Sequence, residues 1–228
     1  MQSIIKADPN NAEAWWLLTR TYLHDGKTAI IRDSLRLLPA GNANAPLILC
    51  AYGQTLLQDH KKDSALLCFN KALEETKQKD PKVLLAIAIA QQDAPEGDAN
   101  YAIDLLNRAI KKDKRNPELY VAMGNAYRKL ANGTESYKAY QEALNQDNRY
   151  AEAAYRLGKI FVSQGNDALY VKYFTDAVTA DSLYAPAWYE LYYHYYFKDV
   201  NKAMDCLRHY IAASDRSGAN DYLLTDLF

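Results

Sequence analysis

The side chains best suited to catalysis or metal binding are scattered along this chain of 228 residues. Its four histidines lie far apart and form no H-x-x-H or H-E-x-x-H set of zinc ligands. They are His24, His60, His194 and His209. The sequence also has no Walker or Rossmann glycine motif for holding a phosphate. It therefore predicts a protein that is not an enzyme and that binds no cofactor or metal.

Three further motifs have plain structural interpretations. Cys50, Cys68 and Cys206 are an odd number at irregular spacings, which argues against a disulfide framework or a zinc ribbon. The acidic segment 93–100 lacks the alternating carboxylates of a calcium loop, so it is interpreted as a turn. The sequon Asn132-Gly133-Thr134 also reads better as a hairpin turn than as a glycosylation site.

The composition excludes several classes of partner. A formal net charge of −1 provides no field that would recruit nucleic acid or an anionic membrane. No apolar run approaches the roughly 18 residues that a membrane-spanning helix needs. We therefore expect no nucleic-acid partner and no direct insertion of this segment into a membrane.

The segment WYELYYHYYF, residues 188–197, is the most unusual part of the chain, with seven aromatic residues in ten positions. A packed core, a membrane-surface helix and a ligand platform could all carry such a set of rings. The aromatic count does not distinguish them. The position of the segment in a larger pattern does.

That pattern is an internal repeat of about 34 residues. Units begin near residues 12, 46, 83, 117, 151 and 185, with about three extra residues near 79–82. Large apolar side chains recur at positions 4, 7 and 24 of a unit, and small residues recur at positions 8 and 27. These spacings are helical, so each unit is predicted to be a hairpin of two helices. The small residues should mark close approach of the two helices.

The repeat resembles the tetratricopeptide repeat, most clearly in NPELYVAMGNAY and YAEAAYRLGKIF, residues 116–127 and 150–161. The resemblance implies an all-α fold in which stacked hairpins form a right-handed superhelix. It covers residues 1–228 as a single array, with 1–11 as the tail of a preceding unit. Residues 219–228 would be the first helix of a truncated seventh unit, so the chain is expected to be a fragment.

The C-terminal stretch is also similar to exported repeat proteins of Gram-negative anaerobic bacteria. That similarity implies a parent protein in the periplasm or associated with the outer membrane, with a cytoplasmic location as the alternative.

The resemblance further implies that positions 2, 5, 9, 12 and 13 of each first helix line a concave groove. This rule, together with the basic cluster beside it, predicts ten partner-binding residues: Asn125, Arg128, Lys129, Tyr155, Arg156, Lys159, Tyr189, Tyr193, Tyr196 and Phe197. In the first three units it places Trp16, Arg20, Cys50, Gln54, Ile87 and Gln91 on the same groove.

The aromatic segment then divides into two faces. Trp188, Leu191, Tyr192 and Tyr195 hold packing positions, and the other four rings fall on the groove. The alternative is that all the rings pack, because Tyr192, Tyr170 and Tyr210 replace small residues and imply wider helix spacing.

The basic cluster has two interpretations as well. A carboxylate clamp of the kind found in some relatives is absent, since Val121 and Pro186 stand where basic residues would be needed. A looser site for an acidic peptide and a solvated charged face both stay open.

Taken together, these features predict a non-enzymatic scaffold that binds a peptide or a partner helix in its groove. One alternative is the recognition arm of a larger enzyme. Another is an architectural module that self-associates through its uncapped C-terminal helix.

Overall fold

The chain folds into helices joined by turns, as seen in a computed structural model that describes residues 8–214 apart from the side chain of Ala40. No strand occurs in that range, which confirms the all-α prediction. The helices are α1 (Ala12–His24), α2 (Thr28–Arg36), α3 (Ala40–Ala43), α4 (Pro46–Gln58), α5 (Lys62–Glu75), α6 (Pro81–Asp93), α7 (Ala99–Ile110), α8 (Pro117–Lys129), α9 (Gly133–Gln146), α10 (Ala151–Ser163), α11 (Asp167–Ala180), α12 (Ala185–Tyr195) and α13 (Val200–Ala213).

The backbone divides into two compact units, residues 1–132 and 133–228, here called the N-terminal unit and the C-terminal unit. The boundary falls inside the fourth repeat, between α8 and α9. The helix predicted at 219–228 and most of the tail predicted at 1–11 lie outside the described residues.

Consecutive helices pack as hairpins within each unit, which confirms the repeat prediction. The pairs are α1 with α2, α4 with α5, α6 with α7, α10 with α11, and α12 with α13. Gly26 and Gly165 occupy the same turn position in their repeats and have φ values of +71° and +66°. Glycine adopts this left-handed conformation without strain, so it ends the first helix sharply.

The small residue at position 8 lies against the ring at position 24 of the same hairpin. A Cβ atom on Gly53 would lie 2.5 Å from the Phe69 ring, and one on Gly158 would lie 2.4 Å from the Phe174 ring. Both rings are buried. The sequence prediction of close approach is therefore confirmed in one hairpin of each unit.

The aromatic residue at position 4 fastens its helix to the preceding turn. Trp15 Nε1 donates to the Pro9 carbonyl at 3.0 Å, and Trp188 Nε1 donates to the Ser182 carbonyl at 2.9 Å. Tyr120 Oη makes the equivalent bond to the Lys114 carbonyl at 2.9 Å. In each case the acceptor lies six residues upstream, so this ring supplies a polar anchor as well as apolar area.

Candidate protein-interaction site

The first helices of the N-terminal unit pack directly on one another, α1 on α4, α4 on α6, and α6 on α8. Their position-5 side chains, Trp16, Cys50, Ile87 and Val121, are at most 3% exposed. We call these four residues the inner column. Gln54 and Gln91, predicted for the same groove, are buried too. The expectation of an open groove is therefore wrong for these six positions, because neighbouring helices of the unit cover them, whereas Glu13 and His24 of the same predicted set are exposed.

Two ion pairs extend across this covered surface. Lys82 Nζ lies 2.7 Å from Glu13 Oε2 and so joins α6 to α1. Arg20 Nη1 lies 3.7 Å from Glu118 Oε1 and joins α1 to α8. Exposed pairs of this kind contribute only about 0–1 kcal/mol each. Burial of the inner column is the larger stabilising effect.

Lys129, a predicted partner-binding residue, is engaged by the N-terminal unit itself. Its ammonium donates to the carbonyls of Gln91, Gln92 and Ala94 at 2.9, 3.1 and 2.6 Å. These carbonyls belong to the C-terminal end of α6, where a cation complements the helix dipole. Burial lowers the pKa of Lys129, opposed by the nearby carboxylates Asp93 and Asp98. Arg128 is exposed and Asn125 is half-buried.

The predicted cations of the C-terminal unit are paired with carboxylates of that unit. Arg156 Nη2 lies 3.0 Å from Glu152 Oε1 on the same helix. Lys159 Nζ lies 2.7 Å from Glu190 Oε1 and links α10 to α12. These pairs offset the positive charge that an acidic peptide would need, so the electrostatic argument for such a site is weaker than the sequence implied.

Tyr155 is half-buried and packs mainly inward. Its ring centroid lies 5.7 Å from that of Phe174 and 5.5 Å from that of Tyr184. Burial is the first cause that raises its pKa, followed by the charge of Glu190. Of the predicted site residues on α10, Lys159 alone is exposed.

The aromatic segment of α12 has two faces that differ in exposure. Leu191 and Tyr192 are buried, and Trp188 stacks on His209 with ring centroids 4.3 Å apart. Tyr193 is 59% exposed and Phe197, just beyond the helix, is 92% exposed. Tyr196 is exposed as well. We call Tyr193, Tyr196 and Phe197 the aromatic face.

The rings of the aromatic face are arranged edge to face. Tyr196 lies 4.7 Å from Phe197 and 5.4 Å from the buried Tyr192, measured between centroids. Tyr193 lies 4.8 Å from Tyr189, which is half-buried. This geometry is favourable for aromatic pairs and holds the exposed rings against buried ones.

The packing explanation accounts for part of the segment. Tyr192 stands where the other hairpins have a small residue, and Leu207 replaces the ring at position 24. Both belong to one buried cluster. In this hairpin the larger side chain, Tyr192, is therefore on the first helix and the smaller one, Leu207, is on the second. Tyr189 also contacts Tyr210, with centroids 5.1 Å apart. None of this requires the exposure of the aromatic face.

A polar network fixes the end of α12 to the start of α11. The Tyr170 hydroxyl is hydrogen-bonded to His194 Nδ1 at 2.5 Å, and Lys198 Nζ lies 2.6 Å from Asp167 Oδ2. Burial lowers the pKa of His194, with a further contribution from Lys198 that Asp167 opposes. In the neutral imidazole one ring nitrogen donates and the other accepts, so the tautomer decides which partner donates in the bond between Tyr170 and His194.

The remaining chemistry of the described residues is sparse. All three cysteines are free thiols, and burial raises the pKa of Cys50 far above its usual range. Within residues 8–214 no group of three or more His, Cys, Asp or Glu side chains could hold a metal ion. The helices described there include none long and apolar enough to cross a bilayer.

Comparison with known proteins identifies the fold. No family model and no curated protein matches the sequence. Among solved structures, a thermophilic TPR protein of Thermus thermophilus aligns with a TM-score of 0.60 and 18% identity, over 80% of this chain and 98% of that one. Pseudomonas aeruginosa pilF aligns with a TM-score of 0.56 and 13% identity, over 94% and 97% of the two chains.

A chain of the APC/C hetero-tetramer Cut9-Hcn1 aligns with a TM-score of 0.58 and 14% identity, over 98% of this chain and 44% of that one. At these identities the likeness establishes the fold alone. The helix pairs described above are therefore those of a tetratricopeptide-repeat solenoid.

Proposed function

We propose that this tetratricopeptide-repeat array is a non-enzymatic protein-interaction module whose partner docks on the aromatic face, Tyr193, Tyr196 and Phe197. One observation carries the proposal. Neighbouring residues at the end of α12 and just beyond it separate into buried rings and exposed rings, and Phe197 is almost fully exposed. An ordered set of exposed rings is typical of an interaction surface rather than of a solvated helix face.

The energetics of the aromatic face suit binding. Aromatic side chains provide a large contact area while losing little rotamer entropy, and for that reason they are enriched at interaction hot spots. Tyr196 and Tyr193 already contact neighbouring rings, so little further ordering is needed when a partner covers them.

The partner is proposed to be an extended peptide or a helix with apolar side chains on one face. Both forms are recognised through apolar anchors that fill gaps between exposed rings. Lys159 and Glu190 lie beside the aromatic face as a mutual ion pair, so the polar rim is close to neutral. Binding should therefore depend weakly on salt.

Two finer predictions belong to the same proposal. The superhelical groove and an exported location for the parent protein rest on the family resemblance. Self-association rests on the apolar C-terminal residues. Light scattering at two protein concentrations tests self-association, and a monomer at the higher concentration would count against it.

The proposal is tested by affinity capture from the source cells with three matched baits. These are the unmodified chain, Tyr193→Ala/Phe197→Ala, and Leu183→Ala, which removes an exposed apolar side chain from the turn before α12. A partner captured by the first and third baits but not by the second supports the proposal.

Binding of the purified partner is then measured by calorimetry. Loss of two hot-spot rings should weaken it by at least about thirtyfold. Equal affinity of the double variant and the unmodified chain would reject the aromatic face as the binding site.

A further inference from the structure

The second helix of the first repeat is unusually short. Helix α2 has 9 residues, whereas α5, α11 and α13 each have 14. The sequence explains the difference, because Pro39 has no amide hydrogen to donate and disfavours helical geometry at the residue before it. Repeat one therefore lacks the last turn of its second helix.

A cleft occupies the place where that turn would pack. Its volume is about 430 Å³, and it lies between the end of α2, the short helix α3, and the hairpin of α4 and α5. Cavities of about 300–1,000 Å³ are the usual size for small-molecule sites. The cleft lies wholly within the N-terminal unit, far along the sequence from the aromatic face.

The walls of the cleft are mainly apolar. Leu35, Ile48 and Leu49 contribute to its lining and are buried. Leu67 also lines the cleft and is 70% exposed. An apolar ligand in the cleft would remove this side chain from water.

Two cations, Arg36 and Lys71, line the same cleft, and among residues 8–214 no carboxylate side chain does. The ammonium of Lys71 donates to the neutral oxygen Asn44 Oδ1 at 2.6 Å, and it forms no ion pair with a carboxylate of the described residues. Arg36 Nε donates to Tyr52 Oη at 2.9 Å. Its Nη1 lies 3.7 Å from Asp33, so Lys71 is the better candidate for a new anion.

We propose that this cleft binds a medium-chain fatty carboxylate. Its acyl chain would lie against Leu35, Ile48 and Leu67, and its carboxylate would accept from the Lys71 ammonium. The charge pattern selects this occupant, because an apolar trough with cations and no carboxylate favours an amphiphile with an anionic head. The site is independent of the proposed partner surface.

Decanoate and decanol provide a matched pair of probes, with equal chain length and different head-group charge. Each is titrated below its aggregation limit into the ¹³C-methyl-labelled chain. Saturable shifts at the Ile48 and Leu67 methyl groups are expected, with tighter binding of decanoate. Shifts spread evenly over both units, or none, would overturn the proposal.

The variant Lys71→Ala tests the head-group contact, and Lys62→Ala is its control. Both lysines are exposed on α5, and both variants change the net charge equally. Lys71→Ala should weaken decanoate binding about threefold, the size expected of an exposed charge contact, and leave decanol binding unchanged. Equal effects of the two variants on decanoate would contradict the assignment.

Cys68 supplies a second readout without any substitution, since it lines the cleft and is only half-buried. Saturating decanoate should slow maleimide labelling of Cys68 and leave the labelling of Cys206 unchanged. Undiminished labelling of Cys68 at saturation would place the ligand elsewhere and reject the site.

Discussion

The two units use the same hairpin but treat the inner positions of their first helices differently. Gly53 lies against Phe69 in the N-terminal unit, just as Gly158 lies against Phe174 in the C-terminal unit. Yet Gln54 and Gln91, at position 9 of their repeats in the first unit, are buried, whereas Tyr193, at position 9 of the sixth repeat, is 59% exposed. The repeat determines how a hairpin is built, and it leaves open whether the inner positions are covered.

The types of side chain account for most of this difference, with Trp16, a buried aromatic residue of the inner column, as the exception. Cys50, Ile87 and Val121 are compact and apolar, so neighbouring first helices can close over them and exclude water. Tyr193 and Tyr196 have a hydroxyl at the tip, which stays hydrated when the ring is exposed. Burial of the inner column therefore stabilises the N-terminal unit, whereas the aromatic face of the C-terminal unit is left exposed to solvent.

The largest effect is expected from Ile87→Ala, compared with Tyr193→Ala. Ile87 is fully buried, so its truncation should lower the free energy of unfolding by about 3 kcal/mol. Tyr193→Ala should change it by less than about 0.5 kcal/mol, because most of that side chain already contacts water. Urea unfolding followed by circular dichroism measures both. Similar losses in the two variants would remove the distinction between the units.

A smaller effect is expected from Gly158→Ala. The added methyl would force the Phe174 ring to move, an overpacking loss of about 1–3 kcal/mol. The higher helix propensity of alanine offsets about 1 kcal/mol of that. A net loss of about 1 kcal/mol is expected, measurable as a lower Tm.

The double variant Gly158→Ala/Phe174→Leu should recover most of that loss, because leucine is smaller than the phenylalanine ring that it replaces. The sixth repeat has the same combination naturally, with Leu207 beside the larger Tyr192. Gly53→Ala is the matched variant of the N-terminal unit and should behave like Gly158→Ala. A higher Tm in either alanine variant would show that the glycine contact is looser than described.

Much of the fold follows from the sequence because a packing position repeats in every hairpin. Gly53, Gly158 and the rings at position 24 could be paired from spacing alone, and the structure has those contacts. The division of α12 into packed and exposed rings is also visible in helical spacing. Its exposed members agree with the prediction for Tyr193 and Phe197.

The repeat pattern could not predict that neighbouring first helices of the N-terminal unit cover the inner column. Spacing shows which residues share a helix face, but closure depends on how neighbouring helices tilt and on small shifts that add up between repeats. Helix α6, for example, begins at Pro81, two residues before the repeat start expected at Val83. The apolar character of Cys50, Ile87 and Val121 did indicate that these positions are buried. No feature of the sequence indicated that Lys129 caps the C-terminal end of α6, since its acceptors lie on another helix.

The smallest effect is a pH dependence of the C-terminal unit. Because the pKa of His194 in the folded chain lies below its ordinary value of 6.5, the unfolded chain binds the proton more readily. Stability should therefore fall as the pH is lowered from about 7 to about 5. The groups facing His194 are Tyr170 and Asp167 on α11 and Lys198 beyond α12.

The variant His194→Asn should flatten this dependence, and His24→Asn, at an exposed position of the N-terminal unit, should leave it unchanged. Thermal unfolding at three pH values provides the measurement. A stability that rises on acidification in the unmodified chain would reverse the assigned sign.

The most direct test of the contrast between the units is the rate of thiol labelling at one predicted groove position of each. Native Cys50 reports on the N-terminal unit, and Tyr193→Cys reports on the C-terminal unit, with each site followed by mass spectrometry. We predict that the thiol at 193 reacts nearly as fast as in the unfolded chain, while Cys50 reacts only when the unit opens. Equal rates at the two sites, or a protected thiol at 193, would contradict the account.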